Sequence, residues 1–206
     1  MAIEDVVIVV PQGVAAPRSV PADIFTAAVD SYVSGQQLDM RALARRLGVS
    51  RATLYRRAGN RERLLDEILW WRSRHALVDV LHRTGHLSGV HRIVAAIGGV
   101  LRAIERDRPL RTFLETDPES AMRILTGTRS TVQQGTTNAL KQLIDLEIER
   151  GHFAAGLDTP TLAYAIVRIT EGFLYSDIIA DRTPDIERAI TIIEALLRGL
   201  DTTGPR

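Results

Sequence analysis

From residue 21 onward, apolar positions recur at three- and four-residue spacing and are interrupted by glycines, prolines and short polar clusters, a helical rhythm with no stretch of strict alternation. "PADIFTAAVDSYVSG" sets Ile24, Ala28 and Tyr32 four residues apart between Pro21 and Gly35, which predicts a first helix over 21–34. "DMRALARRLG" places Met40, Leu43, Ala44 and Leu47 on one face and stops at Gly48, a residue suited to a left-handed helix end. Ser50 then offers an N-cap to "RATLYRR". After "AGN", the periodic Leu64, Leu65, Ile68, Leu69 and Trp71 predict a long fourth helix over 61–81.

The remainder reads the same way. Residues 88–106 form an apolar helix interrupted by Gly98-Gly99, "PLRTFLETD" and "PESAMRILTG" are short helices opened by prolines, and "TRSTVQQGTTNALKQLIDLEIERG" is a long amphipathic one. The last two, "TPTLAYAIVRITEGFLYSDIIAD" and "TPDIERAITIIEALLRGL", are separated by a tight turn and are therefore antiparallel neighbours. The expected fold is all-α: an irregular arm over 1–20, a three-helix N-terminal domain over 21–66, and a helical C-terminal domain over 67–206. Near the N-terminus, "VVIVV" has no reading in this scheme.

Charge changes the picture once it is divided along the chain. The formal net charge is only +1, yet residues 41–63 hold eight arginines against the single acid Glu62, so that segment carries +7 and the rest of the chain −6. A basic patch on an otherwise acidic protein is the footprint of a polyanion site. Two short helices joined at a glycine turn after a longer first helix form a helix-turn-helix, whose second helix enters the major groove of double-stranded DNA. Arg51, Ala52, Thr53, Tyr55 and Arg56 occupy its exposed face, where a guanidinium can fork onto guanine and a methyl group can meet thymine; Val49 and Leu54 plug the small core beneath. Arg41, Arg45, Arg46, Arg57 and Arg61 are read as phosphate contacts, and Ser50 as the cap beside them.

The stretch "LARRLGVSRATLYRRAGNRERLLDEIL" resembles the DNA-binding domain of the TetR family of bacterial transcriptional regulators, over residues 21 to about 70. Gly48, Val49, Ser50, Thr53, Leu54, Tyr55, Leu64 and Leu65 carry the resemblance. Arg61 stands where that family usually has a phosphate-holding lysine, while Ala58 replaces its usual phenylalanine and lightens the packing of the recognition helix. The run "LYRRAGNRERLLDEILWW" is similar to the QsdR-like subgroup, associated with regulation of quorum-sensing-signal lactonases. The resemblance implies a homodimer whose C-terminal domain binds a small-molecule effector, and most often a repressor.

The penultimate helix has three faces. Leu162, Ile166, Ile169 and Phe173 are read as its core face, Ala165, Gly172 and Ser176 as a small face for close approach, and Tyr164, Arg168, Glu171 and Tyr175 as a polar one. The Arg168–Glu171 pair is either structural, at the dimer seam, or a polar wall of the effector pocket. The expected dimer contacts are Ala165, Gly172 and Ser176 with the stripe Ile186, Ile190, Ile193, Leu197 and Leu200, which would leave too much apolar surface on a monomer. Expected pocket walls are Trp71, Phe113, Asn138, Arg168, Glu171 and Phe173, a lining suited to an apolar molecule with one polar head such as a lactone or fatty acid.

Other chemistry is excluded. The chain has no cysteine, so it forms no disulfide, thiolate metal site or cysteine nucleophile. His82, His86 and His91 lack a nearby carboxylate or thiolate and are read as a surface connector, not a metal site. No Ser-His-Asp order, phosphate loop or dinucleotide fingerprint occurs, so neither an enzyme nor a cofactor is expected. The acidic N-terminus and its short apolar run argue against a signal peptide or a membrane span and for the cytoplasm. The alternative function is an effector-independent architectural or division-linked DNA-binding protein.

Overall fold

The computed structural model describes residues 19–180 and 182–203, so the expected arm over 1–20 and its "VVIVV" lie almost wholly outside the described residues. Ten α-helices are described: α1 (Ala22–Val33), α2 (Met40–Arg46), α3 (Arg51–Ala58), α4 (Arg61–Arg83), α5 (Gly89–Glu105), α6 (Arg108–Thr116), α7 (Pro118–Thr126), α8 (Thr131–Glu149), α9 (Thr159–Ile179) and α10 (Ile186–Leu200). The fold is all-α, as the periodicity implies, with one isolated antiparallel bridge between Ala155 and Asp201 among the described residues.

The described residues divide into two compact units. One gathers the chain up to His75 together with Asp107–Gln134; the other gathers Ala76–Arg106 and the chain from Gly135 onward. This departs from the division expected at residues 66 and 67, because α6 and α7 pack with the first helices instead of with the C-terminal ones. The cause is visible in that unit. α1 buries Ile24, Phe25, Ala28 and Tyr32, with the Phe25 ring edge-on to Trp71 at 5.7 Å and the Tyr32 ring edge-on to Phe113 of α6 at 6.4 Å.

Three aspartates then tie helix starts to α4. Asp107 caps α6 through the Leu110 N–H and accepts from Arg72 at 2.7 Å. Asp117 caps α7 through the Ser120 N–H and accepts from Arg61 at 2.8 Å. Asp66 of α4 accepts from the Thr131 N–H at the start of α8 and from the Ser130 hydroxyl at 2.9 Å. Each carboxylate satisfies orphan N–H groups or a neighbouring cation while holding two segments together.

In the other unit, α5 lies against α9 and α10. Its two central glycines allow the close approach: a Cβ on Gly98 would come within 3.0 Å of Ile190 of α10, and one on Gly99 within 2.9 Å of Val80. The stripe expected at the dimer seam is thereby used inside the protomer, since Ile186, Ile193 and Leu197 are buried against its own helices and Ile190 is half-buried on Gly98. The surface thought too apolar for a monomer is already covered. The core face of α9 is also rotated from expectation: Leu162, Ala163, Ile166, Val167, Leu174, Tyr175 and Ile178 are buried, while Ile169 and Phe173 are only half-buried.

A buried ion pair sits in this unit. Arg92 donates to Glu147 at 2.7 Å with side-chain exposures of 3% and 0%, and the other oxygen of Glu147 accepts the Gly89 N–H at 2.6 Å. Gly89 has φ +56°, and a Cβ there would lie 2.4 Å from the His152 carbonyl. Any other residue at 89 would therefore meet both backbone strain and a clash.

Candidate nucleic-acid interface

The geometry of α2 and α3 follows from their ends. Asp39 caps α2 by accepting the Arg41 N–H at 2.6 Å, a bond that holds its carboxyl below the usual range. Gly48 turns the chain with φ +65°, and the Ser50 hydroxyl caps α3 by accepting the Thr53 N–H at 3.1 Å. Leu43, Ala44, Leu54 and Ala58 bury the inner faces. What remains outward on α3 is Arg51, Ala52, Tyr55 and Arg56, all exposed.

The basic patch sorts itself into two groups. Arg46 donates to the Ala27 carbonyl and to Asp30 of α1 at 2.6 Å, and Arg57 donates to Asp23 of α1 at 3.2 Å. Arg61 donates through Nε to the Leu38 carbonyl at 3.0 Å and through a terminal nitrogen to Asp117, leaving its side chain 25% exposed. Burial works against the Asp117 charge, but the bonds from Ser120 and Arg61 outweigh it and hold the carboxyl below its ordinary value. Three of the arginines read as phosphate contacts are thus engaged within the protein. Arg41, Arg45, Arg51, Arg56 and Arg63 have no ion pair among the described residues, and all five are exposed. Thr53 is half-buried and its hydroxyl accepts from Ser50 at 3.0 Å, so it serves the cap before it can serve a base.

The expected effector residues are divided between the two units. Trp71 and Phe113 belong to the unit of α1, packed on Phe25 and Tyr32, whereas Asn138, Arg168, Glu171 and Phe173 belong to the other unit. Asn138 is exposed. Arg168 pairs with Glu171 at 2.6 Å, stacks over the exposed Tyr164 ring at 5.0 Å and, with Ile169, Gly172, Phe173, Arg188 and Ile192, lines an open groove of about 710 Å³. Burial pushes the Glu171 carboxyl up, with the Arg168 charge pulling the other way, and burial followed by the Glu171 charge pushes the Tyr175 hydroxyl up. Sequence reading missed the Trp71 indole N–H, which is buried without a hydrogen-bond partner among the described residues.

A capped helix-turn-helix with an outward, cation-bearing second helix defines a DNA-binding regulator. Comparison with known proteins gives the family. Residues 36–68 match the family model for bacterial regulatory proteins of the tetR family, and residues 88–198 match that for the tetracyclin repressor-like C-terminal domain. The chain belongs to the TetR family of transcriptional regulators, which are DNA-binding proteins and not enzymes. Among solved structures it is similar to the R. erythropolis transcriptional repressor QsdR, with 27% identity, a TM-score of 0.78, and coverage of 90% of this chain and 100% of that one. It also shares its fold with the Bacillus subtilis regulator FadR, solved in complex with stearoyl-CoA (17% identity, TM-score 0.57, 85% and 96% covered). A third match is the repressor AlkX from a Dietzia strain, implicated in biodegradation of n-alkanes (21% identity, TM-score 0.58, 86% and 95% covered). No curated protein matches the chain in sequence. No helix among the described residues is long and apolar enough to cross a membrane.

Proposed function

We propose that the protein is a homodimeric repressor acting in the cytoplasm, which binds an inverted-repeat operator and leaves it when a small, largely apolar effector binds. The observation that carries this reading is the outward face of α3, where Arg51, Ala52, Tyr55 and Arg56 stand exposed on a helix capped and seated by Ser50, Leu54 and Ala58. The similarity to QsdR, itself a transcriptional repressor, supports the direction of regulation. Two recognition helices fit successive major grooves at one separation of about 34 Å. A ligand that binds only the conformer with another separation therefore releases DNA.

Direct readout and phosphate contact are separable. Arg51→Ala is expected to cost about 1 to 3 kcal/mol per half-site and to relax the preferred base beneath it. Arg41→Ala or Arg45→Ala should instead weaken selected and scrambled duplexes alike. With five unengaged arginines per protomer, the slope of log K against log salt for the dimer should be no steeper than about −9. Titrations on duplexes selected from a random pool, repeated at several salt concentrations, check all three. A steeper slope would mean that Arg46, Arg57 or Arg61 leaves its carboxylate to reach the DNA.

The effector is read as a lactone or a fatty acid. A buried indole N–H without an acceptor is costly, and a carbonyl oxygen from such a molecule would satisfy the one on Trp71. Trp71→Phe keeps the ring and removes the donor. In a thermal-shift screen of lactones, fatty acids and aromatic acids, a ligand that stabilises the unmodified protein should lose most of its effect on Trp71→Phe. Equal stabilisation of both removes Trp71 from the site, and a stabilising ligand that leaves operator binding intact rejects the release mechanism.

A further inference from the structure

A lysine at the first position of α4 could place its ammonium on a phosphate, but the arginine here is turned inward. Its guanidinium spans two acceptors at once: the Leu38 carbonyl at 3.0 Å and the Asp117 carboxylate at 2.8 Å. Leu38 is buried in the loop that leads into α2, one residue before the Asp39 cap. Its carbonyl belongs to no helix and is satisfied by this donor. Asp117 lies at the junction of α6 and α7, far along the chain but in the same compact unit. One rigid fork thus joins three segments, and a lysine in its place offers a point charge without that fixed angle.

We propose that Asp117 is a positioning residue for DNA binding: by holding Arg61 against the Leu38 carbonyl, it sets the seating of α2 and, through α2, the presentation of α3. The recognition helix needs such support. Its last buried position is Ala58, only methyl-sized, which gives the end of the helix little apolar contact to fix its angle. A side-chain tie of α3 to α1, Arg57 with Asp23, is about half exposed and contributes little in water. The Arg61–Asp117 pair is about three-quarters buried and hydrogen-bonded on both sides, so it is screened far less. The cavity beside it, lined by Tyr32, Leu38, Leu65 and Phe113, measures about 20 Å³, room for no more than about one water. The pair is a joint and not a ligand site.

Asp117→Asn isolates the effect, because an amide oxygen still caps α7 while the charge that holds Arg61 is gone. Affinity is measured for a duplex selected by the unmodified protein and for its scrambled version, over a range of salt, with melting temperature and oligomeric state recorded for each variant. Asp117→Asn and Arg61→Lys should each lose about tenfold on the selected duplex, about 1.4 kcal/mol, and markedly less on the scrambled one, without a change of salt slope. Asp117→Glu should restore most of it, and a merely structural role would move the melting temperature while leaving the ratio of the two affinities untouched. An unchanged ratio in both variants overturns the proposal. So does tighter binding of both duplexes by Asp117→Asn with a slope steeper by about one, which would make Arg61 a phosphate contact that Asp117 restrains. The inference rests on the DNA-binding reading, and the two fail separately: the symmetry of the selected duplex decides the operator, and the variant's ratio decides Asp117.

Discussion

Glu147→Ala is expected to lower the unfolding free energy by about 3 to 5 kcal/mol, because it leaves the Arg92 guanidinium charged, buried and unpaired. The carboxylate has two partners in the interior, Arg92 at 2.7 Å and the Gly89 N–H at 2.6 Å, and the half-exposed His152 ring nitrogen lies 3.4 Å away. Glu147→Gln should fall between, since an amide oxygen still accepts one of these bonds but carries no charge against the arginine. The double variant Arg92→Met/Glu147→Leu should be more stable than either single truncation, because both desolvated charges leave together. Denaturant unfolding at a fixed protein concentration measures the series, with the slope checked for constancy. A loss under about 1 kcal/mol for Glu147→Ala would show that water reaches the pair and that the site is far softer than its burial implies.

Gly172→Leu should weaken dimerisation strongly while leaving the protomer folded. Within one protomer a Cβ on Gly172 meets nothing within 4 Å, so the substitution has space and its cost falls on a partner. The glycine lines the open groove with Ile169, Phe173 and Ile192, the last 42% exposed, and these belong to the apolar surface left outward on α9 and α10 once the inner stripe of α10 is spent on α5. Overpacking costs about 1 to 3 kcal/mol per site. A two-fold axis repeats every contact, so the dimer constant should weaken by about 30-fold to 10⁴-fold. Sedimentation or light scattering reads the assembly, and operator binding should fall with it. A Leu variant that remains a dimer of unchanged affinity would place the seam elsewhere, and a monomeric unmodified protein at micromolar concentration would end the proposal.

The recognition surface was legible because its signals are local. Gly48 at a left-handed turn, Ser50 at a cap and Leu54 at the buried position act within a few residues of one another, so α2 and α3 appear where the spacing puts them. The roles of the surrounding arginines were not legible. Eight guanidinium groups in one segment look alike, and what separates Arg46, Arg57 and Arg61 from the other five is a carboxylate supplied by α1 or by the corner of α6 and α7. The pairing of Arg92 with Glu147 left one faint trace. Glu147 follows Leu143 and Ile144 on the periodic apolar face of α8, a position where an acid requires a partner, but nothing nearby in sequence names which one.

Helix identity, the helix-turn-helix and the segregated basic charge were determined by the sequence alone, since caps, glycine turns and a 3.6-residue period are short-range properties of the chain. Which face of each helix turns inward was decided by tertiary structure. On α9, Ile169 and Phe173 scan as core yet border the groove, while Tyr175 scans as polar yet is buried. On α10, the stripe that looks unpartnered in isolation is covered by α5, where a Cβ on Gly98 would come as close as 3.0 Å to Ile190 and so crowd the contact. A period specifies that a helix has an apolar face; only the packing of helices distant in sequence decides what that face meets.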